Sequence, residues 1–159
     1  EGRIVPDAMK AWKKNDALKL RSPNSTRPWQ HVMEPLGGYL ILAKWLADAE
    51  NLQDIEAFNF GPKTDQNISV LELVKALSSK WDGSEIKILD SDLLSMSEAG
   101  LLRLNCDKSH KILNWEAKLN FNELISLTSD WYKSFYFEND DCSTITDIQI
   151  SNYQKKLET

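Results

Sequence analysis

One long apolar segment constrains this chain more than any other feature. In Leu20–Leu46, a Ser/Pro/Asn turn leads from a short strand into an apolar helix that begins at Glu34-Pro35. Proline suits the first turn of a helix, because the N–H that it lacks would have no partner there. Apolar residues then recur at helical spacing, so the helix is expected to bury one face in a core. The residues predicted to face that core are Leu36, Leu40, Ala43, Leu46 and Ala47.

Basic residues flank the turn that precedes this helix. Arg21 ends the strand, Arg27 lies in the turn and His31 stands just before the helix. Arginine binds phosphate through two parallel charge-assisted hydrogen bonds, and free N–H groups at a helix N-terminus add to the same positive field. The turn is therefore a candidate anion site. Solvated surface arginines and a structural histidine are the alternative reading.

The paired glycines Gly37-Gly38 fall in the first turns of the same helix. Glycine is unfavourable in a helix by about 1 kcal/mol relative to alanine. Two adjacent glycines therefore indicate close approach of another backbone, a ligand or a neighbouring packed element.

Composition excludes several functional classes. The chain has 159 residues, 42% of them hydrophobic, and a net charge of −5, whereas nucleic-acid and anionic-membrane binders usually carry a basic face. The longest apolar run is far shorter than the roughly 20 residues of a membrane span. Cys106 and Cys142 fit neither a CxxC pair nor a zinc spacing, which favours free thiols in a reducing compartment and hence the cytoplasm.

The remaining periodicities predict short strands between helices. Ser69 and Glu72 form a Ser-x-x-Glu capping box at the start of a helix whose stripe ends at Trp81. The other predicted helices are Val5–Lys14, Asp107–Leu113, Phe121–Phe137 and Thr144–Leu157, and the predicted strands are Ala17–Arg21, Ala57–Phe60, Glu85–Leu89 and Leu101–Asn105. The residues of Phe121–Phe137 predicted to face a core are Leu124, Leu127, Trp131, Tyr132 and Phe135. The apolar residues of the last, amphipathic helix are Ile145, Ile148 and Tyr153. Polar segments 51–56, 90–100 and 138–141 separate elements.

This order of elements contains no continuous series of βα units. A complete doubly wound sheet is therefore not expected, and the fold class is a small mixed α/β lobe. We expect residues 1–159 to form a single lobe. The start Glu1-Gly2-Arg3 has no initiator Met and no leader, which suggests part of a longer chain.

Several catalytic signatures are missing from the sequence. Its six glycines make no glycine-rich dinucleotide turn, and no Tyr is followed by Lys at the Tyr-x-x-x-Lys spacing that lowers the pKa of a catalytic tyrosine. His31 and His110 are far apart, so no zinc site is predicted, and there is neither a GxSxG elbow nor a P-loop. We expect no metal, no bound NAD and no redox catalysis from this chain alone.

The run RSPNSTRPWQHVMEPLGGYLILA at residues 21–43 resembles the CDP-glucose 4,6-dehydratases, members of the extended short-chain dehydrogenase/reductase superfamily. The similarity continues at Asn59-Phe60-Gly61-Pro62 and at Leu102–Lys108. It also covers Leu113-Asn114-Trp115, with Asn114 in place of the family's glycine. The resemblance implies the carboxyl-terminal substrate-binding portion of such an enzyme, without the complete Rossmann sheet.

In this family the carboxyl-terminal half binds the nucleotide sugar, and the amino-terminal half binds NAD. The family reaction oxidises C4 of CDP-glucose, eliminates water across C5 and C6, and returns the hydride to C6. This reaction serves deoxysugar biosynthesis for lipopolysaccharide O-antigen. The partners implied for this chain are therefore a CDP-sugar and a missing NAD-binding half. Full-length relatives commonly pair through the other half, and apolar surface exposed by its absence would favour a homo-oligomer.

The resemblance also assigns roles to individual residues. Arg27 matches the arginine that holds the pyrophosphate in related enzymes. Arg3 lies where those enzymes pass beside the nucleotide, and Arg21 and His31 flank the same pocket.

Two further candidates come from segments that depart from the family pattern. Glu98 lies in what resembles a His-Glu-Ala-His element, with Ser97 and Gly100 replacing both histidines. Arg103 stands where the family usually has Lys. These departures leave two alternatives open: an epimerase or reductase that acts on another nucleotide sugar, or a stand-alone binding module that kept the fold and lost the enzyme.

Overall fold

The computed structural model describes residues 2–48, 57–63, 67–89, 102–138 and 142–158. Within these ranges the chain forms a small mixed α/β lobe, as the sequence predicts. The elements are α1 (Ile4–Lys13), β1 (Ala17–Leu20), α2 (Met33–Asp48), α3 (Val70–Ser78), β2 (Glu85–Ile88), α4 (Asp107–Leu113), α5 (Phe121–Lys133), a π-helical turn (Ser134–Glu138) and α6 (Cys142–Leu157). The predicted polar segments 51–56 and 90–100, and residues 139–141, lie outside the described ranges.

The two strands that the sequence predicts on either side of α2 and α3 pair with each other. β1 and β2 run parallel, with Ala17 opposite Glu85 and Leu20 opposite Ile88. Parallel strands need a long crossover between them, and here α2 and α3 lie in that crossover. Leu18 and Leu20 point into the core, whereas every residue of β2 keeps some exposure. β1 is therefore the inner strand of the pair.

The main core lies where α1, β1, α3 and α5 meet. Trp12 of α1 is almost fully buried, and its indole N–H donates to the carbonyl of Glu85 over 3.0 Å, which joins α1 to β2. Trp81 is buried beside it, although α3 ends at Ser78. The buried residues of this cluster are Ala8, Met9, Trp12, Leu18, Leu20, Leu73, Val74, Leu77, Trp81, Leu124 and Ile125.

Capping boxes fix the starts of two helices. The predicted box at Ser69 and Glu72 is confirmed at the start of α3. A second box, formed by Asn120 and Glu123, starts α5. In each, the cap side chain accepts a backbone N–H of the first turn and the glutamate accepts the N–H of the cap residue.

Two predicted strands are wrong. The stretch 57–60 and residues 102–105 have no regular secondary structure and pair with no strand in the described part of the chain; Leu101 lies outside it. Side chains take the place of a backbone ladder: the Asn59 amide donates to the carbonyl of Asn105 over 3.0 Å, and the Ser109 hydroxyl donates to the carbonyl of Asn59. The alternation of apolar and polar residues predicted strands here, but it carried no information about a partner strand.

The buried face of α2 also differs from the prediction. Leu40 is 73% exposed, and Leu36, Ala43 and Ala47 are exposed as well. α2 instead buries Met33, Glu34 and Gly38. The helix is apolar around most of its circumference, so periodicity alone did not select the face. Aromatic contacts of Tyr39 with Phe60 and of Trp45 with Phe58 show which side packs.

The last two helices break the predicted pattern at the π-helical turn. α5 ends at Lys133 rather than continuing regularly to Phe137, and α6 begins at Cys142. A π-helical turn changes the angular spacing of side chains. Phe135 is consequently 51% exposed and stacks on Trp131, instead of facing the core. Of the apolar residues named for α6, Tyr153 is buried and Ile148 is 56% exposed.

Candidate functional site

The loop of residues 22–28 is tied to the start of α3. The backbone N–H groups of Val70 and Leu71 donate to the carbonyls of Ser25 and Pro23, each over 2.9 Å. Thr26 forms an isolated antiparallel bridge with Ser69. Because the loop has backbone contacts at three positions, it is a fixed platform for the side chains that it carries.

Arg27 projects from this platform. It is half-buried, and its guanidinium donates to the carbonyl of Thr26 over 2.8 Å. The next residues are anchored as well: the Trp29 indole N–H donates to the carbonyl of Ile68 over 3.0 Å, and the Gln30 amide donates to the carbonyl of Phe60 over 2.8 Å. Arg21 lies at the other end of the loop, exposed directly after β1.

The N-terminus of α2 does not supply the free N–H groups expected from the sequence. The N–H of Met33 points to the Nδ1 atom of His31 over 3.4 Å, and the N–H of Glu34 donates to the carbonyl of His31 over 3.0 Å. Pro35 has no N–H, and that of Leu36 donates to the carbonyl of Val32. The chain itself therefore occupies these donors, and this part of the anion-site prediction is wrong.

His31 is a neutral imidazole at pH 7. Burial lowers its pKa from the ordinary value of 6.5. Since Nδ1 accepts from Met33, the proton lies on Nε2, which makes His31 a neutral hydrogen-bond donor.

The other predicted site residues occupy different parts of the chain. Arg3 is exposed at the N-cap of α1, two residues before Val5. Arg103 is exposed in the segment 102–105, where the carbonyl of Asn105 accepts a hydrogen bond from the Asn59 amide. Glu98 lies outside the described residues. The fold thus joins Arg21, Arg27 and His31 through one anchored loop, and it carries Arg103 on a separate segment.

A cavity of about 680 Å³ opens beside His31. This is within the size range of ligand pockets, roughly 300–1,000 Å³. No Asp, Glu, Lys or Arg is among its described lining residues. The walls come from α1, the segment after the loop, and α2, α3, α5 and α6; they include Val5, Trp29, His31, Leu36, Leu40, Leu124, Trp131, Tyr132, Ile150, Tyr153 and Leu157. An anion would have no charge partner inside it, so phosphate recognition would depend on the arginines outside.

Glu34 is a buried carboxylate that the sequence did not reveal as special. Only 1% of it is exposed. One oxygen, Oε1, accepts the backbone N–H groups of Lys118 over 2.9 Å and Leu119 over 2.6 Å. The other, Oε2, accepts the hydroxyl of Tyr153 over 2.9 Å. Burial raises the pKa of Tyr153, and the Glu34 charge and hydrogen bond raise it further. In the sequence, the only indication of this buried role was the position of a glutamate in the first turn of an apolar helix.

The described ranges hold no cluster of three or more His, Cys, Asp or Glu side chains able to bind a metal ion. Cys106 and Cys142 are free thiols, as predicted. None of the helices within these ranges has both the length and the apolar character needed to span a membrane.

Comparison with known proteins gives one sequence relative of clear significance. The chain is 30% identical over 151 residues to the CDP-glucose 4,6-dehydratase of Salmonella typhimurium. The match covers 95% of this chain and 41% of that enzyme, so the chain spans about two fifths of its relative. No family model matches the chain.

Solved structures show the same architecture. A UDP-glucose-4-epimerase from Stenotrophomonas maltophila, with bound NAD and formylated UDP-arabinopyranose, matches with a TM-score of 0.65 at 16% identity, over 85% of this chain and 40% of that chain. A UDP-N-acetylglucosamine 4-epimerase from Bacillus cereus matches with a TM-score of 0.54 at 11% identity, over 84% and 44% of the two chains. The chain is therefore similar in sequence to CDP-glucose 4,6-dehydratase over about two fifths of that enzyme, and it has the fold of the matching parts of the two nucleotide-sugar epimerases.

Proposed function

We propose that residues 1–159 form the nucleotide-sugar-binding lobe of an enzyme of the CDP-glucose 4,6-dehydratase type, with CDP-glucose as the sugar nucleotide. The observation that carries this proposal is the anchored loop with Arg27, which lies within the stretch that matches the dehydratase. A pyrophosphate has two charged groups that need fixed cationic partners. A guanidinium on a loop with three backbone anchors meets that need with little loss of conformational entropy.

The remaining contacts are assigned by the place of Arg21 and His31 beside that loop and, for Arg3, Glu98 and Arg103, by the resemblance alone. Arg27 holds the pyrophosphate, Arg21 adds positive charge at the start of the loop, and Arg3 approaches from the start of α1. His31 offers its neutral Nε2–H to an uncharged oxygen of the ligand. Glu98 and Arg103 complete the sugar side in this proposal.

The paired glycines of this chain do not offer a place for the pyrophosphate of NAD. The chain's only adjacent glycines, Gly37 and Gly38, lie inside α2 against Tyr153 and Phe60, so they do not form a turn that could admit a pyrophosphate. We therefore assign NAD, which the UDP-glucose-4-epimerase structure contains, to a separate amino-terminal half. That half would supply the oxidation at C4 and return the hydride to C6, while this lobe holds the CDP-sugar in place. The cytoplasm is the compartment that we propose for this reaction.

We assign the apolar cavity and the exposed side of α2 to contact with this NAD-binding half. The cavity offers hydrophobic walls and no described charged group, which suits burial against protein better than it suits a phosphate. Leu36 and Leu40 extend the same surface to the outside of α2. The relatives carry more than half of their length outside the matching part, which is enough chain to form such a partner.

The site is tested by replacing Arg27. Saturation-transfer NMR detects weak ligand binding and suits a lobe that holds only part of a site. We expect CDP to bind the wild type, and we expect Arg27→Ala to weaken binding about 10- to 100-fold, because a charge-assisted contact contributes about 1.5–3 kcal/mol.

The matched control is Lys80→Ala. Lys80 is exposed beyond the C-terminal end of α3, whereas the loop contacts its N-terminal end. Binding of CDP should survive this loss of one positive charge. Equal weakening by both variants would show general charge attraction and refute the assigned role of Arg27. A lack of CDP binding to the wild type at millimolar concentration would favour the stand-alone module.

A further inference from the structure

Helix α6 forms one wall of the apolar cavity. Its contributions to the cavity are Thr146, Gln149, Ile150, Tyr153, Gln154 and Leu157. The facing walls include His31 and residues of α1 and α2. Movement of α6 would therefore change access to the cavity directly.

The helix contributes little to the hydrophobic core. The main core cluster draws its buried residues from α1, β1, α3, α5 and Trp81, and none comes from α6. Only Gln149 and Tyr153 are buried along the 16 residues of α6, while Ile148, Ile150 and Leu157 stay exposed. Tyr153 packs with Met33 and Leu119 in a small separate cluster, and polar contacts add to the attachment of α6 to the lobe.

Three of these contacts join α6 to its neighbour α5. The Trp131 indole N–H donates to the Thr146 hydroxyl over 3.0 Å, and the Gln149 amide donates to the carbonyl of Leu127 over 2.9 Å. Lys156 and Glu123 form a half-exposed salt bridge. Contacts of this kind stabilise modestly, because water competes for the same groups when the helix leaves.

The fourth contact crosses to α2. Tyr153 donates to Oε2 of Glu34, while the N–H groups of Lys118 and Leu119 both donate to Oε1. Departure of Tyr153 would thus leave the carboxylate with two strong donors. Opening of α6 would expose Oε2 of Glu34 to water and would not leave an unpaired buried charge. The free-energy cost of this opening is therefore low.

We propose that α6 is a releasable wall of the apolar cavity, and that the hydrogen bond from Tyr153 to Glu34 holds it closed against α2. Release of the helix separates the Tyr153 and Glu34 side chains and opens the cavity along its length. Local opening of this kind belongs to the least stable cooperative unit of a fold, which exchanges its amide protons before the core does. This inference concerns the lobe itself and does not depend on which ligand it binds.

Hydrogen exchange followed by mass spectrometry tests the proposal. In the wild type, amides of α6 should exchange at least tenfold faster than those of α1, α3 and α5. Tyr153→Phe removes only the hydroxyl, and it should accelerate exchange in α6 about tenfold further while the three core helices stay unchanged. Fluorescence of an added apolar dye, 1-anilinonaphthalene-8-sulfonate, should rise in the same variant.

Tyr132→Phe is the matched control, because it removes a hydroxyl from the same cavity but from α5. It should leave α6 exchange unchanged. Lys156→Ala alters the half-exposed side of α6 and serves as a second variant if Tyr153→Phe fails to fold; it should accelerate exchange in α6 alone. Exchange of α6 at the same rate as the core helices, or equal acceleration of all helices by Tyr153→Phe or Lys156→Ala, would overturn the proposal.

Discussion

At the residue scale, His31 couples the loop to the cavity and should make stability depend on pH. Its folded-state pKa is lowered by burial, so the unfolded chain takes up a proton near pH 6.5 before the folded chain does. The contribution of neutral His31 to the free energy of unfolding is therefore fully present above about pH 6.5. It is lost as the pH falls through the lowered pKa.

We expect the free energy of unfolding to decrease between pH 7 and pH 5, and His31→Gln should remove part of that decrease. Urea unfolding measured at several pH values checks this result. His110→Gln is the control, because His110 is exposed on α4. Equal pH dependence in the wild type and His31→Gln would contradict the burial argument.

Residues differ in how much of their role the sequence discloses. The Ser69–Glu72 cap was predictable because both partners lie within one helical turn. Glu34 was not, because its partners Lys118 and Tyr153 are 84 and 119 positions away. The chemistry of a short motif is local, whereas the environment of a buried charge is set by the whole fold.

At the element scale, the two glycines of α2 perform different tasks. A Cβ on Gly38 would overlap the ring of Phe60, which is itself buried against Trp115. A Cβ on Gly37 would lie 3.4 Å from the Tyr153 hydroxyl, which is an ordinary contact. Sequence reasoning proposed close approach at this pair, and the structure shows that a packed side chain makes it.

Gly37 and Gly38 allow two alanine substitutions in one helix to be compared by their effect on the free energy of unfolding. Gly38→Ala should lower the free energy of unfolding by about 1–3 kcal/mol, because the added methyl group overpacks the site. Gly37→Ala should be neutral or stabilising by up to about 1 kcal/mol, because alanine is the better helix former. Chemical denaturation of both variants checks these values. A larger loss for Gly37→Ala than for Gly38→Ala would refute this assignment of contacts.

Strands show the limit of periodic patterns in this chain. Residues 17–20 and 85–88 were predicted and do pair, because each finds the other in the same lobe. The stretch 57–60 has a similar alternating pattern, yet its carbonyls accept hydrogen bonds from Gln30, Lys108 and Ser109 side chains. A strand requires a partner, and a pattern in one segment carries no information about that partner.

At the scale of the whole molecule, the lobe exposes apolar side chains at the cavity that a folded protein would normally cover. Leu36 and Leu40 lie at the cavity and are both at least half exposed. The fold class was predictable from the order of the elements, but the exposed face of α2 was not, since an apolar helix has no polar side to mark it. Such surfaces usually mark sites of association.

In the absence of an NAD-binding half, we expect concentration-dependent self-association through this surface. Leu40→Gln should weaken it, because an amide at a 73% exposed rim position resists burial without a partner. Sedimentation velocity over a range of concentrations checks the expectation. Ile112→Gln on α4 is the control, since Ile112 is also exposed but does not line the cavity. A strictly monomeric wild type would count against an association surface here.

The central claim is that the loop and the start of α1 bind a nucleotide sugar. Titration of ¹⁵N-labelled protein with CDP-glucose, followed through ¹H–¹⁵N correlation spectra, tests it most directly, because each backbone amide reports its own environment. We expect saturable shifts at Arg3, at residues 21–31 and at the start of α3, and weaker shifts with UDP-glucose. Unchanged spectra, or shifts confined to other parts of the chain, would contradict it.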